Sequence, residues 1–143
     1  MPLVPILDTD ILISFLRGKP QATAFVEALI DKDERLNTTA INAGELYVGA
    51  YYSTNVAKDV RAIEDLLKRF TIWDFTGTDA VIYGQCQAIL LKNGTPVGKM
   101  DVMIGSIAIS HGEPLVTRNV THFERIPQLK LINWHPMTND SSI

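Results

Sequence analysis

Four polar residues stand where an α/β protein would place its chemistry. Asp8 closes the apolar run Leu3–Leu7, and Glu45 lies on the helical stretch after Leu36–Thr39. Asp101 opens the apolar run that ends at His111, and Asn119 follows Pro114–Thr117. In an open parallel sheet, ligands collect outside the carboxyl ends of the strands, which is where these four positions fall. Apolar residues beside them (Leu7, Leu46, Val102 and Val116) bring their side chains out at the margin of a core. Carboxylates held together there repel one another and lose hydration, a costly state unless a cation neutralises them. With oxygen ligands and no His or Cys spaced for a metal, the cation would be hard: magnesium, or manganese. Such an ion polarises a phosphate and orients or supplies an attacking water. Singly, each residue has a plainer role. Asp8 can end a strand, Asp10 and Asp101 can cap helices, Glu45 can be solvated and Asn119 can form a turn.

The elements that must position these side chains alternate between strand and helix, which signifies a parallel sheet with helices on its faces. Leu3–Leu7 reads as a buried first strand, followed by a helix from about Ile11 to Arg17 that Gly18 and Pro20 close. Ala22, Phe25, Val26, Leu29 and Ile30 give a second helix one apolar stripe. Leu36–Thr39 is a short strand, Ile41–Tyr52 a helix, and Val60, Ile63, Leu66, Leu67 and Phe70 mark another amphipathic helix before the β-type run Thr71–Phe75. Thr76 with Asp79 resembles a capping box, opening a helix to about Lys92. The stretch Asp101–His111, apolar nearly all round, reads as a helix buried against the sheet and stopped by Gly112. Pro114–Thr117 and Leu129–Ile132 are the last strands, and the polar tail His135–Ile143 is expected to be flexible.

At 143 residues, 46% hydrophobic, the chain is sized for one domain with a proper core. Thirteen basic against sixteen acidic residues give a net charge of −3, which excludes a nonspecific polycation that coats nucleic acid or lipid but not a nuclease with an acidic pocket. The single cysteine, Cys86, excludes an internal disulfide and a Cys-type zinc site, so a reducing cytoplasm is the expected setting, and no export or membrane segment is evident. His111, His122 and His135 show no metal-ligand spacing and rank as ordinary polar residues. Arg17, Lys19, Lys99, Arg118 and Arg125 fall near the predicted acidic edge and are candidates for phosphate contact. Tyr47, Tyr51 and Tyr52 could stack on bases or face a partner, and Leu16, Phe25, Leu66, Leu67 and Phe70 could supply an interface as well as core.

Four segments carry a resemblance to a known family. They are Ile6-Leu-Asp8-Thr-Asp10-Ile-Leu-Ile13, Thr39-Ala-Ile-Asn-Ala-Gly-Glu45-Leu46, Gly98-Lys-Met-Asp101-Val-Met-Ile-Gly-Ser-Ile-Ala108 and Leu115-Val-Thr-Arg-Asn119-Val-Thr-His-Phe123. In order and spacing they resemble the PIN-domain ribonucleases, with VapC-type toxins of toxin–antitoxin pairs the nearest in pattern, over a domain of residues 1–134. The resemblance implies a three-layer α/β/α sandwich with a central parallel sheet and a magnesium-dependent endoribonuclease site. On that basis Asp8, Glu45 and Asp101 form the acidic cluster, Asp8 and Asp101 hold the metal, and Asn119 is the fourth polar residue. Glu45 and Asn119 would orient water or a second metal for in-line attack on RNA, leaving a 5′-phosphate and a 3′-hydroxyl. A homodimer silenced by a VapB-like antitoxin is also implied. The chain departs from the family pattern at Asp10, where Asn is usual, and at His122 and Lys99, near which acids are frequent.

Two other functions compete. The start Val4-Pro-Ile-Leu-Asp8-Thr-Asp10-Ile-Leu12 superficially matches a haloacid-dehalogenase-like phosphatase, with Asp8 as nucleophile and Asp10 as acid/base. The other is a PIN-like module that binds RNA or protein without cutting. Retention of three mutually repelling carboxylates argues against a pure binder.

Overall fold

A computed structural model describes residues 4–32 and 35–135. Five strands, β1 (Ile6–Leu7), β2 (Leu36–Thr39), β3 (Phe70–Trp73), β4 (Leu115–Val116) and β5 (Leu131–Ile132), form one sheet in the order β3-β2-β1-β4-β5. All neighbours pair in parallel. Around them run α1 (Thr9–Leu16), α2 (Pro20–Asp31), α3 (Ala40–Tyr51), α4 (Val56–Leu67), α5 (Gly77–Asn93), α6 (Lys99–His111) and the single turn α7 (Val120–Phe123).

The side-chain alternation of the strands divides the core in two. Leu7 and Val116 face a cluster built with Ile11, Leu12, Val26, Leu46, Ile63 and Leu66, from α1 to α4. Ile6 and Leu115, their immediate neighbours, face the opposite cluster with Leu90, Val102, Ile104 and Ile107, from α5 and α6. Helices thus cover both faces, giving the three-layer α/β/α sandwich. Leu66, Leu67 and Phe70, candidates for an interface, are buried here in the core, whereas Leu16 is 40% exposed.

Capping chemistry sets several boundaries. Thr76 accepts from the Asp79 backbone N–H and the Asp79 side chain accepts from the Thr76 N–H, completing the expected capping box on α5. Gly94 and Gly112 end α5 and α6 in the left-handed conformation that a side chain disfavours. Two helices begin earlier than expected. Helix α1 starts at Thr9, with Asp8 at its N-cap, so Asp10 lies inside the first turn and is not the cap. Helix α6 starts at Lys99 behind Gly98, which puts Asp101 at its third position. The first strand is shorter than expected. The Val4 N–H goes to Glu113 Oε2 at 2.7 Å rather than into the sheet, Pro5 has no N–H to offer, and Leu3 lies outside the described residues. Most of the tail 135–143, from 136 onward, lies outside them too.

Helix α6 approaches the chain before β5 closely at Gly105. A Cβ there would stand 3.0 Å from Ile126 Cδ1 and 3.4 Å from Leu129 Cδ2. Ile126 is itself buried. Gly105→Val should therefore overpack this layer and destabilise the protein by about 2 kcal/mol, read as a lowered urea midpoint with unchanged slope. An unmoved midpoint would contradict this account of the packing.

Candidate active site

The chain runs outward through β1, β2 and β3, then returns to the other side of β1 to lay down β4 and β5. The crossover falls between β1 and β4, and the crevice beyond their carboxyl ends is where a ligand fits. Asp8 leaves β1 there and Thr117 leaves β4; the Thr117 hydroxyl is 2.7 Å from Asp8 Oδ2. A cleft of about 440 Å³ opens at this point, lined by Asp8, Thr9, Asp10, Ile13, Glu45, Asp101, Arg118, Asn119 and Phe123. Asp8, Glu45, Asp101 and Asn119, separated by up to 111 positions in the sequence, thus border one cavity.

Asp8 is 7% exposed. Its carboxyl is raised from 3.8 to about 7, by burial first and by the negative charges of Asp10 and Glu45, against the lowering effect of hydrogen bonds from Thr117 and the Thr9 backbone. Asn42 Nδ2 donates to Asp8 Oδ1 at 2.8 Å and to Thr9 Oγ1 at 2.9 Å. Thr9 Oγ1 in turn donates to Glu45 Oε1 at 2.6 Å. Asn42 is held by Thr39, which caps α3: the Thr39 hydroxyl donates to Asn42 Oδ1 at 2.7 Å and accepts from the Asn42 N–H at 3.1 Å. One fully buried amide thereby fixes two of the acids relative to each other. Asn42 was not singled out in the sequence, although a polar residue three places after a Thr at a strand-to-helix junction is a visible sign of a cap.

Asp10 is a structural acceptor. Its Oδ1 accepts from Trp134 Nε1 at 2.9 Å, while its Oδ2 accepts from the Arg118 N–H at 2.9 Å and faces Thr117 Oγ1 at 3.0 Å. With both oxygens so engaged it has little left for acid/base work, which removes the phosphatase assignment. Asp101 Oδ2 lies 2.8 Å from His122 Nε2, so His122 is a site neighbour and not the ordinary polar residue expected. Of the five basic candidates only Arg118 lines the cleft. Asn119 is exposed at the rim, and its backbone N–H donates to Thr117 Oγ1 at 3.1 Å.

The donor set suits a hard ion. Among the described residues no three His, Cys, Asp or Glu side chains are already gathered around one point. The acids instead border a cavity with room for water, as befits magnesium, which takes one or two carboxylates and keeps several waters. The buried Asp8 carboxyl, crowded by like charge, is the group such an ion would relieve.

Acids from the end of β1, from α3 and from α6 meeting at the crossover of this five-stranded sheet define a PIN-type fold and cleft. Residues 6–129 match the PIN domain family, and the chain belongs to it. It is 33% identical over 128 residues to Ribonuclease VapC2 of Haemophilus influenzae, covering 90% of this chain and 96% of that one. It is equally similar, with the same coverage, to a protein of Salmonella typhimurium named tRNA(fMet)-specific endonuclease VapC. Among solved structures, VapBC2 from Rickettsia felis bound to a DNA fragment from their promoter superposes with a TM-score of 0.86 at 28% identity, over 93% of this chain and 100% of that one.

Proposed function

We propose that this chain is a magnesium-dependent endoribonuclease, the toxin of a type II toxin–antitoxin pair, whose reaction is hydrolysis of RNA phosphodiester bonds in the cleft between β1 and β4. The observation that carries the reading is the convergence of Asp8, Glu45, Asp101 and Asn119 on one cavity; the VapC relatives give it its substrate class. Asp8 and Asp101 would hold the ion, with manganese able to substitute. The bound ion supplies polarisation of the scissile phosphate and a more acidic water. Glu45, oriented by Thr9, accepts a proton from the attacking water, and Asn119 at the rim steadies that water or the phosphate. Asn42 and Thr117 keep Asp8 from turning away, and His122 does the same for one oxygen of Asp101.

A VapB-like antitoxin is the partner, as the VapBC neighbours indicate. Val48, Tyr51 and Tyr52 on and just beyond α3 are 70%, 63% and 92% exposed, an apolar surface that supports a homodimer. The cytoplasm is the setting. Cys86 is a free, buried thiol, and among the described residues no helix is long and apolar enough to cross a membrane.

The test is cleavage of structured RNA by the purified chain with magnesium, with manganese and with EDTA. Cutting with either ion, silenced by EDTA and leaving 5′-phosphate ends, is expected. Cutting at the same rate in EDTA would remove the metal, and intact RNA under every condition would remove the nuclease.

A further inference from the structure

Four carboxylates line the cleft, and an RNA strand brings a phosphate for every nucleotide. An ion between Asp8 and Asp101 answers only the phosphate being cut, so the next one along meets negative charge. Among the described residues that line the cleft, Arg118 is the one Lys or Arg. Its side chain is exposed, and within the described residues no carboxylate lies in ion-pair reach of it. Its guanidinium carbon stands 5.9 Å from the centre of the Trp134 ring. A guanidinium lying over an aromatic face keeps its edge N–H groups free for bidentate bonds to phosphate oxygens.

Both halves of this pair are anchored to one side chain. The Arg118 backbone N–H donates to Asp10 Oδ2 and the Trp134 indole N–H donates to Asp10 Oδ1, each at 2.9 Å. Arg125, by contrast, gives its Nη1 to the Pro96 carbonyl at 3.2 Å, away from the cleft lining. A carboxylate suits position 10 because it is an acceptor on both oxygens, whereas an amide would turn an N–H toward a donor.

We propose that Arg118 grips a backbone phosphate of the RNA strand next to the scissile one, and that Asp10 and Trp134 hold it in place to do so. This deepens the nuclease reading and rests on it.

The test is binding of a fluorescent single-stranded RNA, read by anisotropy over a series of salt concentrations in an Asp8→Asn background held in EDTA, where cutting is too slow to interfere. Arg118→Ala should weaken binding about tenfold and lower the log–log salt slope by about one, since one phosphate contact is lost. Trp134→Leu keeps the cation but frees it, so affinity should fall by a smaller factor with the slope nearly retained. In the cutting protein, Arg118→Ala should lower kcat/KM about tenfold, mainly through KM. Arg118 is exposed, so its variant should melt with the parent. Unaltered affinity and slope in Arg118→Ala would overturn the assignment while leaving the nuclease standing. Failure of the unsubstituted chain to cut RNA with magnesium would overturn the reading beneath it.

Discussion

Asp8→Asn should cut RNA about 10³-fold more slowly and yet melt at a higher temperature than the unsubstituted chain at pH 8 without metal. The gain in stability follows from the direction of the shift. The Asp8 carboxyl is raised from 3.8 to about 7 on folding, so the unfolded chain ionises first as pH rises. Stability from this group is complete below about pH 4, declines as pH rises toward 7 and is gone above it. Above pH 7 the metal-free protein therefore carries a buried charge crowded by Asp10 and Glu45, which asparagine removes. The amide fits the site. Its oxygen can keep the bond from Asn42, and its NH₂ can donate to Thr117 Oγ1 if that hydroxyl turns its proton to Asp10, 3.0 Å away. Thermal scans from pH 5 to pH 8 should show the advantage of the variant growing with pH, and added magnesium should stabilise the unsubstituted chain alone. Equal melting temperatures at pH 8, or full cutting by the variant, would end this account of Asp8.

Asn42→Ala should combine lost stability with lost activity. It removes the donor to Asp8 and Thr9 and the acceptor for Thr39 from a fully buried position. Leaving such groups unpartnered costs about 3 kcal/mol. Because Thr9 then no longer fixes Glu45, kcat should fall by about 10–100-fold even under conditions where the variant is fully folded. Asn42→Asp should be worse on both counts, since it places a carboxylate against the Asp8 carboxyl. Denaturant melts and single-turnover cleavage separate the two effects. A variant that is destabilised but cuts at the parent rate would reduce Asn42 to packing.

The sequence disclosed the layered α/β/α plan and the residues that border the cleft because both depend on local signals. Leu36–Thr39 was legible to the residue, since Thr39 both ends the strand and caps the next helix. The four polar positions were legible because each stands beside apolar core residues near an element boundary or on the helix after a strand: Asp8 and Asn119 follow β1 and β4, Glu45 lies on the helix after β2, and Asp101 is in the first turn of α6. The partners of those residues were not. Asp10 looks like a helix cap when only its neighbours are considered, and its actual partners are 107 to 124 positions away. His122 meets Asp101 only because α7 folds back beside α6, and four residues of helix leave almost no periodic trace. Two-residue strands such as Ile6–Leu7 and Leu115–Val116 are similarly hard to bound, because the apolar run outlasts the hydrogen-bonded part.

Trp134 reaches back across 124 positions to Asp10, and Thr117 across 109 to Asp8. During synthesis, the first acid of the cavity is made long before the groups that secure it, and those last groups are still within the ribosome when the earlier helices are already outside. Until the segments carrying Thr117 and Trp134 have emerged, Asp8 and Asp10 stand without those bonds.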